Sequence, residues 1–316
     1  MSTTIYGIVE FPSALFCSAE VLGQSFSISI GGHDGLLYMP VLPDITDGNI
    51  SFKKLLGPSV AEEWKTGDKH LEWGSVNSDP EGNSHIDMAL LEFYICDDNL
   101  NNVAQEIYDD IEEWLTLLER YIIILATQNI NGGVSSNERY RQLRLYNIQD
   151  EKIQRIPRHD PIMLNVSLAG KDNIITLHHL MTATRLSSEK LPLRSEYLML
   201  LESYRARKNK DNRKAIIEAA TALEICLTKK IKDEFDLQKI DFGERLLQKF
   251  RMLGGKFELA RILGIPLPEK DYTKLILNPR NDVIHKNDFP EAKEANSFIS
   301  EVEELLKLFS PCIYQK

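Results

Sequence analysis

The pattern of apolar and polar positions changes character along this chain. Residues 4–10, 25–30 and 36–41 are short runs of β-branched, aromatic and apolar residues. Most alternate with polar neighbours, which predicts strands of a sheet with one wet face. Gly31-Gly32-His33-Asp34-Gly35 lies between the second and third runs, and a five-residue connection so rich in glycine predicts a hairpin loop. No helix follows it, so it is not a phosphate loop. Further strands are expected at 70–73, 84–96, 142–148, 162–169 and 173–180. One stretch among them, 101–128, has the helical period. Its apolar residues Val103, Ile107, Ile111, Trp114, Leu115, Leu118 and Ile122 recur at three- and four-residue steps. Asp109-Asp110 and Glu112-Glu113 read as the solvated face of that helix. The expectation for this part is a β sandwich or barrel with one packed helix.

Residues 184–192 mark a boundary, with Ser187-Ser188-Glu189-Lys190 and Pro192. Beyond it the period is helical. Helices are expected at 194–207, 212–235, 242–253, 257–263, 269–277 and 291–309. The clearest, 212–235, carries Ile216, Ala219, Ala220, Leu223, Cys226, Leu227 and Ile231 at helical spacing, with Asp211 as N-cap. Gly254-Gly255 reads as a helix stop. The fold class expected is therefore α+β: a β-rich sensing or interaction domain over 1–190, then an all-α helical bundle over 194–316.

Composition narrows the class without naming a function. A chain of 316 residues can bury two cores. Its 43% hydrophobic and 27% charged content is that of a soluble globular protein. No run approaches the roughly 18 apolar residues a membrane span needs, and Met1 to Gly7 lacks the basic and apolar regions of a secretory signal. Cys17, Cys96, Cys226 and Cys312 are far apart in apolar contexts, which points to free thiols in a reducing cytoplasm. The net charge of -10 is unevenly spread. Residues 1–193 carry 14 basic and 27 acidic side chains, and residues 194–316 carry 23 and 20. Only the second part is compatible with a polyanion. Its densest basic run is Arg205-Ala206-Arg207-Lys208-Asn209-Lys210, with Arg213-Lys214 just after. His178-His179 falls in an expected strand, where neighbours point to opposite faces, so the pair is not expected to share a metal.

The candidate chemistry lies in Asn278-Pro279-Arg280-Asn281-Asp282-Val283-Ile284-His285. Asn278 and Pro279 read as a helix start. Asn281 and His285, four apart, then share a face. Arg280 lies about 140° from His285 around the helix, close enough for its long side chain to swing across. Arginine and histidine at one phosphate suit metal-free RNA cleavage. Histidine as a residue type titrates near neutrality and can move the proton of a ribose 2′-hydroxyl or of a leaving 5′-oxygen. Arginine presents a permanently charged planar fork to the phosphorane, and a helix N-terminus would favour the same anion. One copy supplies one titratable group; two copies across a two-fold axis supply two.

Arg280 to His285 matches the arginine-four-residues-histidine motif of the HEPN superfamily, a helical domain found in higher eukaryotes and prokaryotes. Asn281 matches the polar residue that usually follows the arginine there. Residues 215–224 also resemble the corresponding long helix in the branch related to ApeA-type prokaryotic defence proteins. Pro279, directly before the arginine, departs from the pattern. The resemblance covers roughly 194–316. It implies a metal-independent endoribonuclease acting as a cytoplasmic homodimer, in anti-phage defence or as a toxin. By position it implies that Arg280 and His285 are catalytic and that Asn281 orients them. Lys286, Arg205, Arg207 and Lys208 would then contact the RNA backbone. Glu218 and Glu224, on the long helix, would support Arg280 or His285. The partners expected are an RNA substrate, a second copy of the chain and a phage-derived or protein trigger at the first domain, with no membrane, metal or cofactor. Two other readings stand beside this one. In the first, a non-catalytic dimerisation or RNA-binding module is joined to a ligand- or protein-recognising β domain. In the second, a carbohydrate- or peptide-binding sandwich has an incidental helical tail.

Overall fold

The computed structural model describes residues 3–42, 54–58, 72–76, 82–95, 100–126, 143–149, 152–155, 174–286 and 289–311. The strand expected at 162–169, and Cys96 and Cys312, lie outside these residues. The chain divides into two compact units, Met1–Pro192 and Leu193–Lys316.

The first unit is built on an antiparallel sheet. Its strands are β1 (Thr3–Cys17), β2 (Ser25–Ile30), β3 (His33–Tyr38), β4 (Gly74–Val76), β5 (Ser84–Ile95), β6 (Leu143–Gln149) and β7 (Lys152–Arg155). They lie in the order β2-β3-β5-β1-β6-β7, with β4 also paired to β5. Among the described residues this is a single sheet, and neither the expected sandwich nor the expected barrel is formed. β1 and β5 are long enough to be its spine, in register from Thr3↔Ile95 to Glu10↔Met88 and again, past an irregularity, from Leu15↔Ile86. Ile5, Ile8, Val9, Leu90, Leu91 and Phe93 on them are fully buried.

Two helices belong to this unit, α1 (Leu100–Ala126) and α2 (Leu177–Ser188). They pack on each other and against β2, whose Phe26, Ile28 and Ile30 are buried while Ser25 and Ser27 are exposed. The β2–β3 turn is Gly31-Gly32 alone, because His33 already pairs with Ile30. Gly31 has φ +62°, and a Cβ there would lie 2.8 Å from the Glu106 carbonyl oxygen of α1. Only glycine meets both demands. The turn is then pinned: Gly31 N–H donates to Asp110 Oδ2 at 3.0 Å, and His33 Nε2 lies 2.7 Å from Glu106 Oε2. Asp110 also accepts from Lys190 Nζ at 2.6 Å. That bond, with the turn amide, holds its carboxyl below the ordinary range. This corrects the expectation that Asp110 is merely solvated.

The expected strand at 173–180 is a second correction. Ile175 makes only an isolated bridge to Cys17, and the chain then enters α2. Thr176 caps it: Thr176 Oγ1 accepts from His179 N–H at 3.3 Å, and Thr176 N–H donates to His179 Nδ1 at 3.4 Å. His178 and His179 therefore sit in the first turn of a helix, and His179 closes the cap. Burial, with His178 second, pushes His179 below its usual pKa.

The second unit is helical: α3 (Ser195–Lys208), α4 (Asn212–Gln238), α5 (Gly243–Lys249), α6 (Leu253–Ile262), a π turn (Thr273–Leu277), α7 (Asn278–His285) and α8 (Ala292–Phe309). α4 is its axis, packed by α3, α8, α6 and α7. The stripe read from its sequence is the buried one, Ile216, Ala219, Ala220, Leu223, Cys226, Leu227 and Ile231. Gly254 and Gly255 do not end a helix; they lie in the first turn of α6. A Cβ on Gly255 would meet Phe250 backbone at 3.1 Å, so the glycine permits the tight approach of α6 to the end of α5.

A buried polar clasp joins α3, α4 and the end of α8. The Glu196 side chain is fully buried. Its Oε1 accepts from Ser310 Oγ at 2.8 Å and its Oε2 from Lys229 Nζ at 2.5 Å. Arg194 Nη1 donates to Ser310 Oγ at 2.6 Å, and Tyr197 Oη donates to the Ser310 carbonyl at 2.6 Å. Burial acts to raise the Glu196 pKa, but the Lys229 bond and its companions outweigh it and leave the value lowered. Cys226 lies beside this clasp. Burial, reinforced by Glu196, pushes its thiol up to about 12. Cys226 and Cys17 are free thiols.

Candidate functional site

α7 carries the Arg280–His285 segment. The sequence suggests a helix start at Asn278, but the backbone is already helical there. Leu277 and Asn278 both have right-handed helical angles, and the Asn278 N–H bonds to the Thr273 carbonyl, five residues back. That π-type spacing has a physical reason. Pro279 has no N–H and its ring crowds the carbonyl four residues earlier. Widening the preceding turn relieves the clash without breaking the helix. The Asn278 amide is thus already bonded and Pro279 has none, so phosphate charge at this segment falls chiefly to side chains.

Two buried residues two turns apart, Ile276 and Val283, press this helix onto the core. Tyr272 fixes its approach: its ring stacks on Phe257 at 4.8 Å, and its hydroxyl donates to the Pro268 carbonyl at 3.1 Å. On the outer side, Asn281 and His285 are exposed and Arg280 is half-buried. Arg280 Nη1 donates to Asn281 Oδ1 at 3.0 Å. The His285 side chain makes no hydrogen bond or ion pair among the described residues. Lys286 pairs with Asp282 at 2.7 Å, one turn back. From α4, Arg213 Nε donates to the Val283 carbonyl at 3.2 Å, which ties the base of the segment to the axial helix.

The other sequence-predicted residues fall elsewhere. Arg205 is held by Glu202 on its own helix at 2.5 Å. Arg207 Nε donates to Asn296 Oδ1 of α8 at 2.6 Å. Lys208 is exposed at the end of α3. Glu224 pairs with Lys256 of α6 at 2.6 Å, a lysine only 8% exposed. Glu224 thus joins α4 to α6, and no hydrogen bond or ion pair among the described residues links its side chain to Arg280 or His285. Glu218 is half-buried on α4 and makes no hydrogen bond or ion pair among the described residues.

Sequence reasoning passed over a shallow depression beside α7. Asn209, Lys210, Asp211, Asn212, Arg213, Phe289 and Pro290 line it. Phe289 is 76% exposed. Asn212 Nδ2 donates to the Pro290 carbonyl at 2.9 Å, which fixes the amide and leaves its buried Oδ1 without a partner among the described residues. The signal in sequence was an aromatic residue in a polar loop close after the histidine. A second overlooked feature is Glu92 of β5, only 4% exposed. It accepts from Tyr38 Oη at 2.7 Å and Tyr94 Oη at 2.9 Å.

No helix among the described residues is long and apolar enough to cross a membrane. No group of three or more potential metal-ligating side chains occurs among them. Comparison of the chain with protein-family models, curated proteins and solved structures returns no match.

Proposed function

We propose that the chain is a metal-independent endoribonuclease of the HEPN type, working as a homodimer in prokaryotic anti-phage defence or as a toxin. The observation that supports this reading best is the outer side of α7. It offers a permanent cation, steadied by Asn281 at 3.0 Å, and one turn further an exposed histidine. Neither is engaged by an acidic partner among the described residues.

The chemistry follows from those groups. His285 of one copy takes the proton of a ribose 2′-hydroxyl as the oxygen attacks the adjoining phosphorus. The bond from phosphorus to the 5′-oxygen breaks, and that oxygen receives a proton from His285 of the second copy. Arg280 neutralises the charge that builds on the non-bridging oxygens. The products are a 2′,3′-cyclic phosphate and a 5′-hydroxyl. One copy lacks the second proton-transfer group, so the reading requires the two α7 segments to meet at one cleft.

The test is RNA cleavage by the wild-type chain and by His285→Ala. The variant should lose about 10²–10⁴-fold in rate while its melting temperature stays unchanged, because His285 is exposed. Equal cleavage by both proteins would show that the assigned site is wrong. Sedimentation adds the second arm: a chain that cleaves as a monomer would rule out the shared cleft.

A further inference from the structure

We infer that the depression beside α7 is a nucleotide subsite for single-stranded RNA, with Phe289 as the stacking platform and Lys210 and Arg213 as backbone contacts. This rests on the nuclease reading for its biological setting, but its argument comes from different residues. The structure sorts the basic run of the sequence into engaged and available members. Arg205 and Arg207 are taken up by Glu202 and Asn296. The Lys210 side chain makes no hydrogen bond or ion pair among the described residues; its N–H donates to the Arg207 carbonyl at 3.1 Å. Arg213 donates only through Nε, to Val283, which leaves both terminal nitrogens of its fork without a described partner. Lys210 is held out by a left-handed backbone, φ +62°, at the α3–α4 junction. Asp211, the acid of the lining, is occupied as the cap of α4, accepting from Lys214 N–H at 2.9 Å. Among the described residues the lining therefore presents two cations against one carboxylate, which already caps α4.

Shape and chemistry point the same way. The depression is open to solvent and holds about 510 Å³. Phe289 stands 76% exposed at its edge. An aromatic face beside unpaired cations is how proteins hold single-stranded nucleic acid without reading its sequence, since every base has a π-face to stack. The location is also apt. Arg213 reaches from the depression to the backbone of α7 at Val283, two residues before His285. A nucleotide held there would lie beside the scissile position and help to place it.

The experiment is fluorescence anisotropy of the full chain with a labelled 2′-O-methyl oligonucleotide, which cannot be cleaved by 2′-hydroxyl attack. An abasic strand of the same length serves as control. Phe289→Ala should weaken binding on the order of ten-fold, Phe289→Trp should keep it, and the abasic strand should bind wild type and Phe289→Ala alike. Lys210→Asn, chosen because asparagine tolerates the left-handed backbone, should lower the salt slope by about 0.7. Binding by Phe289→Ala within about two-fold of wild type, or no binding by wild type, overturns the subsite. Phe289-dependent binding without any cleavage of ordinary RNA keeps the subsite and removes the nuclease reading. His285-dependent cleavage with Phe289-independent binding does the reverse.

Discussion

Two charged regions of the helical unit are handled in opposite ways. The clasp of Glu196, Lys229, Arg194 and Ser310 is closed. Its carboxylate is fully buried and both oxygens accept hydrogen bonds. The α7 segment is open: Asn281 and His285 are exposed, and among the described residues the Arg280 side chain is bonded only to Asn281. A buried charge must be matched by partners, so the clasp belongs to stability. A half-buried cation without an acidic partner among the described residues and an exposed histidine contribute little to folding, so their value lies elsewhere. The comparison separates residues that hold the unit together from residues left available to a substrate.

Variants should therefore split cleanly between the two regions. After His285→Ala, the largest effect is expected from Arg280→Ala. Loss of the charge facing the phosphorane should lower the cleavage rate about 10²–10³-fold with no change in thermal midpoint. Lys229→Ala should do the opposite. It leaves a buried carboxylate short of its cation, and after allowance for the half-exposed lysine the loss of stability is about 2 kcal/mol, read by urea denaturation, with cleavage unaltered at a temperature where the fold is intact. If Lys229→Ala abolishes cleavage in the folded state, the two regions are not separate.

Smaller effects sharpen the same division. Asn281→Ala frees the Arg280 side chain and should lower kcat about ten-fold while KM is unchanged, since it orients a group used in the transition state. Glu224→Gln weakens the bond to Lys256 and should lower stability by about 1 kcal/mol, leaving the cleavage rate as it was. A large loss of rate in Glu224→Gln would instead restore that glutamate to the site. The smallest signal is a pH dependence. The folded Glu196 has a pKa below the ordinary 4.5. Its contribution is therefore fully present above about pH 4.5 and declines as the pH falls through the folded value. Acid denaturation curves should show this loss in the wild type, and Glu196→Gln should lack it.

The sequence made the helical unit legible where period and burial coincide. The apolar stripe of 212–235 is the buried face of α4, and the strands at 25–30 and 84–96 nearly match β2 and β5. It misled where a residue served packing and not punctuation. Gly254 and Gly255 look like a stop but make room for α6, Gly255 against the Phe250 backbone and Gly254 against the Leu277 side chain. Pro279 looks like a helix start but is absorbed by a π turn. Residues 177–180 look like a strand because Ile174 and Ile175 precede them, and the cap there uses a histidine at the position where Glu or Gln is the readable signal. The positions of Arg280, Asn281 and His285 on α7 followed from spacing alone. The fates of Arg205, Arg207 and Glu224 did not, because Asn296 and Lys256 come from distant parts of the chain and Glu202 competes from one turn away.

The most direct measurement is the chemistry of the cut ends, made on RNA cleaved with EDTA present by the wild type and by His285→Ala. The account predicts 2′,3′-cyclic phosphate and 5′-hydroxyl ends from the wild type and none above background from the variant. Ends bearing a 3′-hydroxyl and a 5′-phosphate, or the same products at the same rate from His285→Ala, would contradict it.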